Sequence, residues 1–166
     1  MPITRLNHAV LFVRDVQRSV AFYTEVLGFR RVDMTPEGFA GAAFLQAPGS
    51  DNDHDLGLFE IGPTAGLSPA GTSTVGLYHL AWEVDTLDEL ERLQSVLAEH
   101  GALVGASDHG TTKSLYARDR DGLEFEVAWL VPADQLDAAA LSARKRIAPL
   151  DLTRDKKRYG AKTATA

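Results

Sequence analysis

The chain has 166 residues, 45% of them hydrophobic, and its formal net charge is −6. The length and the hydrophobic content suit one globular domain or two small halves that share a core. It contains no cysteine, which excludes disulfides, zinc–thiolate sites, iron–sulfur clusters and cysteine nucleophiles and leaves His, Asp and Glu to hold any metal. It has no apolar run of about 18 residues and no basic start followed by an apolar core at its N-terminus, so we expect a cytoplasmic protein with no membrane span.

The positive charge is concentrated near the C-terminus. Residues 144–166 hold eight of the 17 Lys and Arg residues, so the rest of the chain is strongly acidic. An acidic body argues against binding to nucleic acid. We expect the basic segment to be solvated or covered by a partner.

The first predicted element is a strand that begins near Leu6 and includes His8. A helix follows, with Asp15 as its N-cap and an apolar stripe along one face, and it ends at Gly28. Three strand-like stretches come next, "FRRVDM", "FAGAAFLQ" and "DLGLFEI". The first half therefore has the order β-α-β-β-β.

The second half repeats this order after a Gly/Pro/Ser-rich link at residues 62–74. His79 takes the place of His8, a helix opens at Thr86 with Glu89 in a capping box, and Gly101 follows its end. Three strands come next, "ALVGAS", "KSLYARD" and "LEFEVAWL". We therefore predict an α+β domain over residues 1–132, with modules at 4–61 and 75–131, and a C-terminal helix and basic tail over 133–166.

Three polar residues interrupt apolar strands, namely His8, His79 and Glu126. A single strand histidine is usually a core residue with its hydrogen bonds satisfied, but two at equivalent positions of a repeat would meet at one central place. Burying Glu126 without a cation would cost several kcal/mol. Two imidazoles and one carboxylate suit non-haem Fe(II), and Mn(II) has similar preferences. The alternative is that Glu126 pairs with an arginine or faces solvent, although Glu124, on the same strand face, is the one expected to be more exposed.

The repeat and these three residues resemble the vicinal oxygen chelate superfamily, which includes glyoxalase I, bleomycin-resistance proteins, epimerases and extradiol catechol dioxygenases. The resemblance covers roughly residues 4–131. It implies two modules that form a pseudo-symmetric open barrel around one metal site, with His8, His79 and Glu126 as ligands. Members of this superfamily often pair, so a homodimer is expected.

The stretch "DHGTTKSLYARDRDGLEFE" resembles a segment of the extradiol dioxygenases and differs from it at Arg120, where proline is usual. The matching positions are His109, Leu115, Tyr116, Asp119, Gly122 and Glu126. This resemblance implies an Fe(II)-dependent catechol 2,3-dioxygenase-like enzyme of aromatic catabolism, with a catecholic substrate and O2 as its partners. Tyr116 would hydrogen-bond a substrate oxygen, and His109 would contact the reacting oxygens.

The extradiol resemblance also places an acid/base histidine before the last strand of the first module. His54 takes this position, although the usual histidine doublet is reduced here to His54–Asp55. The alternative is a glyoxalase- or epimerase-type lyase or isomerase, which needs a fourth carboxylate ligand such as Glu60. A metal-free binding protein and a structural module with an acidic binding face are further alternatives, and the retained His and Glu residues argue against the metal-free protein.

Overall fold

A computed structural model describes residues 2–34, 39–70 and 73–165. Residues 35–38 of the first predicted module and residues 71 and 72 of the predicted link lie outside the described residues. The chain divides into two compact units, Met1–Leu67 and Ser68–Ala166. Of the described residues, none belongs to a helix long and apolar enough to cross a membrane.

The first unit contains one helix and a four-stranded mixed sheet. Its elements are β1 (Ala9–Val13), α1 (Val16–Leu27), β2 (Arg30–Val32), β3 (Ala42–Gln46) and β4 (Leu56–Glu60). The strand order is β1-β4-β3-β2. Strands β1 and β4 are parallel, and the other neighbours are antiparallel.

The second unit repeats this arrangement and adds a C-terminal part. Its sheet module consists of β5 (His79–Glu83), α2 (Leu87–Glu99), β6 (Leu103–Asp108), β7 (Thr112–Arg118) and β8 (Glu124–Leu130), in the order β5-β8-β7-β6. A 3₁₀ turn at Ala133–Gln135 and the helices α3 (Ala138–Ala143) and α4 (Leu152–Tyr159) follow. The predicted α+β class with two β-α-β-β-β modules is confirmed.

The predicted helix ends are confirmed by their capping geometry. The Asp15 side chain accepts a hydrogen bond from the Arg18 backbone N–H at 2.9 Å, and Thr86 accepts one from the Glu89 N–H at 3.2 Å. Both bonds satisfy amides that have no partner inside the helix. Gly28 ends α1 with a φ of 73°, in the left-handed region that glycine adopts without strain.

Each sheet packs an apolar face against its own helix. The opposite face is polar in the second unit, whereas in the first unit it carries exposed apolar residues such as Val10 and Phe12. The main buried side chains of the first unit are Leu11, Val13, Phe22, Val26, Leu45, Leu56 and Leu58. Those of the second unit are Leu87, Leu90, Leu97, Leu115, Phe125, Val127 and Trp129. Because side chains alternate along a strand, the polar residues between these core positions, such as Glu124 and Glu126, lie on the opposite face.

Helix α4 belongs to the second unit, although the sequence predicted no helix there. Its residues Leu152, Asp155 and Tyr159 are buried. The Lys156 ammonium lies 2.6 Å from a carboxylate oxygen of Glu91 on α2. The expectation of a solvated tail is therefore wrong for this helix, because one face of it is buried and charges such as that of Lys156 pair within the unit. Whether a partner covers its exposed side stays a prediction.

Candidate metal and catalytic site

Strand pairing in the second unit brings three predicted site residues to one face of the sheet. Glu126 on β8 lies opposite Ala81 on the parallel strand β5 and opposite Tyr116 on the antiparallel strand β7. His79 stands two residues before Ala81 and therefore points to the same face. The residues thus converge because β8 runs between β5 and β7.

His79 and Glu126 are in direct contact. The Nε2 atom of His79 lies 3.2 Å from Oε2 of Glu126, and the two side chains are 26% and 15% exposed. Two ligand atoms bound to one ion at about 2.1 Å and at right angles are about 3 Å apart. The pair therefore has the spacing and the donor chemistry of two neighbouring ligands of a divalent metal.

The sequence left open whether Glu126 pairs with an arginine or faces solvent, and its neighbours in the structure decide this. Among the described residues the basic side chain in contact with its carboxylate is His79 and not an arginine. Its side chain is largely shielded from solvent, and Glu124 is shielded to the same extent, at 16%. The expectation that Glu124 is the more exposed of the two is therefore wrong.

Tyr116 and His109 form a hydrogen-bonded pair beside these residues. The Nε2 atom of His109 lies 2.9 Å from the Tyr116 hydroxyl oxygen, and the rings of Tyr116 and His79 meet edge to face with centroids 6.0 Å apart. Burial raises the pKa of Tyr116, and the negative charge of Glu126 raises it further. The phenol therefore stays protonated at neutral pH and can donate a hydrogen bond.

In the first unit, His8 and His54 lie next to each other. Their ring centroids are 4.4 Å apart, and Phe44 contacts His54 edge to face at 5.1 Å. The Nδ1 atom of His8 lies 2.7 Å from the amide oxygen of Asn7. Because an amide oxygen only accepts, a hydrogen bond here requires the proton on Nδ1, and the tautomer with that proton leaves the Nε2 lone pair for a metal.

His54 precedes β4 and is partly shielded from solvent. Its Nδ1 atom is buried and has no hydrogen-bond partner among the described residues. Burial lowers the pKa of His54, and the neighbouring His8 lowers it further. The imidazole is therefore neutral at physiological pH and can accept a proton.

Two carboxylates of the first unit, Asp55 and Glu60, have structural roles. Asp55 accepts hydrogen bonds from the Ala47 N–H at 2.8 Å and from the Ser50 hydroxyl at 2.7 Å, so it holds the loop between β3 and β4. Glu60 accepts a hydrogen bond from the Val16 N–H at 3.0 Å, at the first residue of α1. A carboxylate in that position is stabilised by the helix N-terminus.

The register of the first sheet places a glycine at the position equivalent to Glu126. Val10 on β1 lies opposite Gly57 on β4, as Ala81 lies opposite Glu126. Val10 and Ala81 each stand two residues after the repeated histidine of their unit. The counterpart of Glu126 is therefore Gly57 and not Glu60, and the first unit has no carboxylate at this position.

Across residues 2–34, 39–70 and 73–165, no group of three or more His, Asp and Glu side chains is arranged to hold a metal ion. The predicted ligand set takes His8 from the first unit and His79 and Glu126 from the second. It therefore stays a prediction, as do the roles of His54, His109 and Tyr116.

One residue beside this group was missed by the sequence analysis. The ring of Tyr78 lies 4.8 Å from that of His79, and a hydrogen bond to Glu124 raises the pKa of the Tyr78 phenol. The sequence offered one signal for Tyr78, namely its position directly before His79, a proposed ligand.

Known proteins with similar sequences include both dioxygenases and lyases. Catechol-2,3-dioxygenase of Bacillus subtilis is 34% identical over 75% of this chain, but the match covers 41% of that enzyme. Lactoylglutathione lyase of Escherichia coli O157:H7 is 32% identical over 74% of this chain and 90% of that enzyme. The chain thus spans less than half the length of the first relative and most of the second.

A similar fold is seen in the crystal structure of a glyoxylase/bleomycin resistance protein/dioxygenase domain from Frankia sp. EAN1pec. Its TM-score is 0.63 at 25% identity, and the match covers 78% of this chain and 93% of that one. Residues 5–127 also match the family model of the Glyoxalase/Bleomycin resistance protein/Dioxygenase superfamily. This match covers well over half of the chain and agrees with the two repeated modules, so the protein belongs to that superfamily.

Proposed function

We propose that this protein is an Fe(II)-dependent extradiol dioxygenase that opens the ring of a catechol-type aromatic with O2. The observation that carries the proposal is the hydrogen-bonded pair His109–Tyr116, with Tyr116 directly opposite Glu126. A lyase of the glyoxalase type has no need for this pair. The similarity to catechol-2,3-dioxygenase over three quarters of the chain also supports it.

The metal would be held by His8, His79 and Glu126. The contact between His79 and Glu126 and the lone pair left on His8 Nε2 fit such a role. When bound, Fe(II), or Mn(II) in its place, would leave coordination positions for the two substrate hydroxyls and O2 and would lower the pKa of a bound hydroxyl.

Tyr116 and His109 orient the substrate in this proposal. With the Nε2–H of His109 donating to the Tyr116 oxygen, the phenol O–H is free to donate to a substrate oxygen. The raised pKa of Tyr116 keeps that proton on the phenol. A hydrogen bond to a charged oxygen is worth about 1.5–3 kcal/mol, so this pair would favour a substrate that presents a charged oxygen to Tyr116.

His54 acts as the proton acceptor. Its lowered pKa keeps the imidazole neutral, and its buried Nδ1 has no protein partner among the described residues. A neutral imidazole can take the proton of the catechol hydroxyl and return it later. Phe44, which packs against His54, limits the movement of the ring.

The second candidate is a lyase or isomerase of the glyoxalase type. The near-complete coverage of lactoylglutathione lyase favours it. That chemistry is expected to need a fourth carboxylate ligand. Gly57 stands at the equivalent position of the first unit, and Glu60 is bound at the start of α1, which favours the dioxygenase.

An isotope experiment tests the choice between these reactions. Protein loaded with Fe(II) without oxygen is given catechol under ¹⁸O2, and the product is analysed by mass spectrometry. The proposal expects a ring-opened product with both atoms from O2, formed only by metal-loaded protein. An absence of ring-opened product, together with isomerisation of a glutathione hemithioacetal, would instead establish the lyase.

The proposal includes a homodimer acting on small molecules in the cytoplasm, without nucleic acid or membrane partners. Each sheet ends in two edge strands, β1 and β2 in one unit and β5 and β6 in the other, and among the described residues Ala148 covers the end of β6 at Asp108. Open edges invite pairing unless something covers them. Sedimentation equilibrium at micromolar concentration should give twice the chain mass of 18.0 kDa, and a single-chain mass would exclude the dimer.

A further inference from the structure

The C-terminal segment, defined here as residues 138–159, contacts the turn that carries His109. The family match ends at residue 127, so this segment lies beyond the part of the chain shared with the superfamily. It comprises α3, α4 and the stretch between them. All its contacts described below lie within the second unit.

The first contact is a backbone bridge to the residue before His109. Asp108 and Ala148 pair in antiparallel fashion. The Asp108 N–H donates to the Ala148 carbonyl at 2.8 Å, and the Ala148 N–H donates to the Asp108 carbonyl at 3.0 Å. The segment thus gives the end of β6 a second neighbour besides β7, just where the chain turns toward His109.

The second contact is a network of charges centred on the Asp108 carboxylate. One oxygen accepts hydrogen bonds from the Lys113 ammonium and, at 2.7 Å, from the Gly110 N–H. The other oxygen lies 2.6 Å from the Arg154 guanidinium on α4. The Lys113 side chain is only 2% exposed, and burying an ammonium group is costly unless it is paired in this way.

Asp155 completes the network from α4. Its buried carboxylate lies 3.0 Å from Arg154 and 4.0 Å from Lys113. The Lys113 ammonium also donates to the Gly110 carbonyl at 3.1 Å. Two cations and two carboxylates therefore fix both the side chain before His109 and the backbone after it.

The third contact is the close packing of α3 against Gly110. This glycine has a φ of +78°, and a Cβ added to it would lie 2.5 Å from the Ala140 carbonyl oxygen and 2.7 Å from the Arg144 nitrogen. Real Cβ atoms do not approach backbone so closely. The end of α3 therefore sits directly on the turn, and only glycine fits there.

We infer that the C-terminal segment positions His109 for its bond to Tyr116, with Arg154 acting through Asp108. The residues on both sides of His109 are bound by the segment or by Lys113. The backbone that carries the imidazole is therefore held in place. Its distance of 2.9 Å to Tyr116 follows from that placement. A displacement of about 1 Å at such a residue can slow a reaction by about 100-fold. Arg154 is thus a positioning residue, and the effect on turnover rests on the proposed function.

The test compares two cations of the same helix. Arg154→Gln removes the contacts with Asp108 and Asp155, while Lys156→Gln removes the contacts with Asp88 and Glu91 on α2. Arg154→Lys keeps the charge. The first readout is the set of His109 imidazole ¹⁵N–¹H signals of the full-length, metal-free protein at pH 8, which report the ring proton and its hydrogen bond. The second readout is kcat and KM for catechol with iron-loaded protein.

We expect shifted His109 signals in Arg154→Gln, wild-type signals in Lys156→Gln, and signals closer to wild type in Arg154→Lys. We also expect kcat to fall about tenfold in Arg154→Gln, with KM changed less than about twofold. Identical His109 signals in Arg154→Gln and Lys156→Gln would overturn the inference. If the wild-type protein turns over no catechol, the proposed function fails, and the NMR comparison still decides the positioning role.

Discussion

The imidazole of His79 and the carboxylate of Glu126 meet at 3.2 Å on the sheet face that points away from α2. We therefore predict that His79→Ala will lose metal binding. Its stability should fall little, because His79 lies outside the apolar core. Metal analysis after dialysis, together with thermal unfolding, measures both effects. His100→Ala, which changes a histidine at the end of α2, is the matched control. A variant His79→Ala that keeps the wild-type metal content would show that the ligand assignment is wrong.

Glu60 provides a second test of the ligand set. Because its carboxylate accepts the Val16 N–H at the start of α1, Glu60→Ala should lower the free energy of unfolding by about 1 kcal/mol and leave metal content unchanged. Urea denaturation and metal analysis measure the two quantities, and Glu126→Ala is the control that should lose the metal. A fall in metal affinity in Glu60→Ala would instead support a four-ligand lyase.

The contacts of Asp108 predict how the free energy of unfolding changes at low pH. Burial alone would raise the pKa of Asp108, but the Lys113 hydrogen bond, the Gly110 N–H and the charge of Arg154 outweigh it and hold the pKa below its usual range. A carboxylate with a lowered pKa in the folded state stabilises the protein above its unfolded pKa, and this stability is lost as the pH falls below about 4. Urea denaturation at several pH values should therefore show a steeper acid loss for wild type than for Asp108→Asn, which should be less stable at pH 7. Parallel pH curves for the two proteins would contradict this role of Asp108.

The repeat and its caps could be predicted from sequence because they depend on local chemistry. Asp15 and Thr86 bind amides three residues away, and Gly28 takes up a backbone conformation that few other residues adopt. Such signals need no knowledge of distant parts of the chain. His109 and Tyr116 were predicted in a different way, from the resemblance of residues 108–126 to a segment of the extradiol dioxygenases.

Other features depend on tertiary contacts and could not be predicted. Helix α4 has the sequence "LTRDKKRY", whose apolar residues are too few to form a stripe, and its charges pair with distant residues such as Glu91 and Asp108. The sequence offered Glu60 as the fourth carboxylate ligand of a lyase. Strand register, set by the pairing of β4 with β1, puts Gly57 rather than Glu60 at the position equivalent to Glu126.

Tyr116→Phe separates the proposed reactions with a change of one hydroxyl. Tyr116 is not a proposed ligand, so iron content should stay the same. Loss of a hydrogen bond worth about 1.5–3 kcal/mol in the transition state should slow catechol cleavage roughly 10- to 150-fold. Steady-state rates at equal iron loading measure this effect. A rate close to that of wild type would mean that Tyr116 is only a strand aromatic.

The most direct test of the proposed dioxygenase is oxygen uptake by the wild-type protein. Iron-loaded protein is mixed with catechol in an oxygen electrode, and the loss of catechol is followed in the same sample. We expect one O2 to be consumed for each catechol opened, and no uptake by metal-free protein. Oxygen consumption that stays at the metal-free level with every catechol tried, while iron remains bound, would contradict the proposed function.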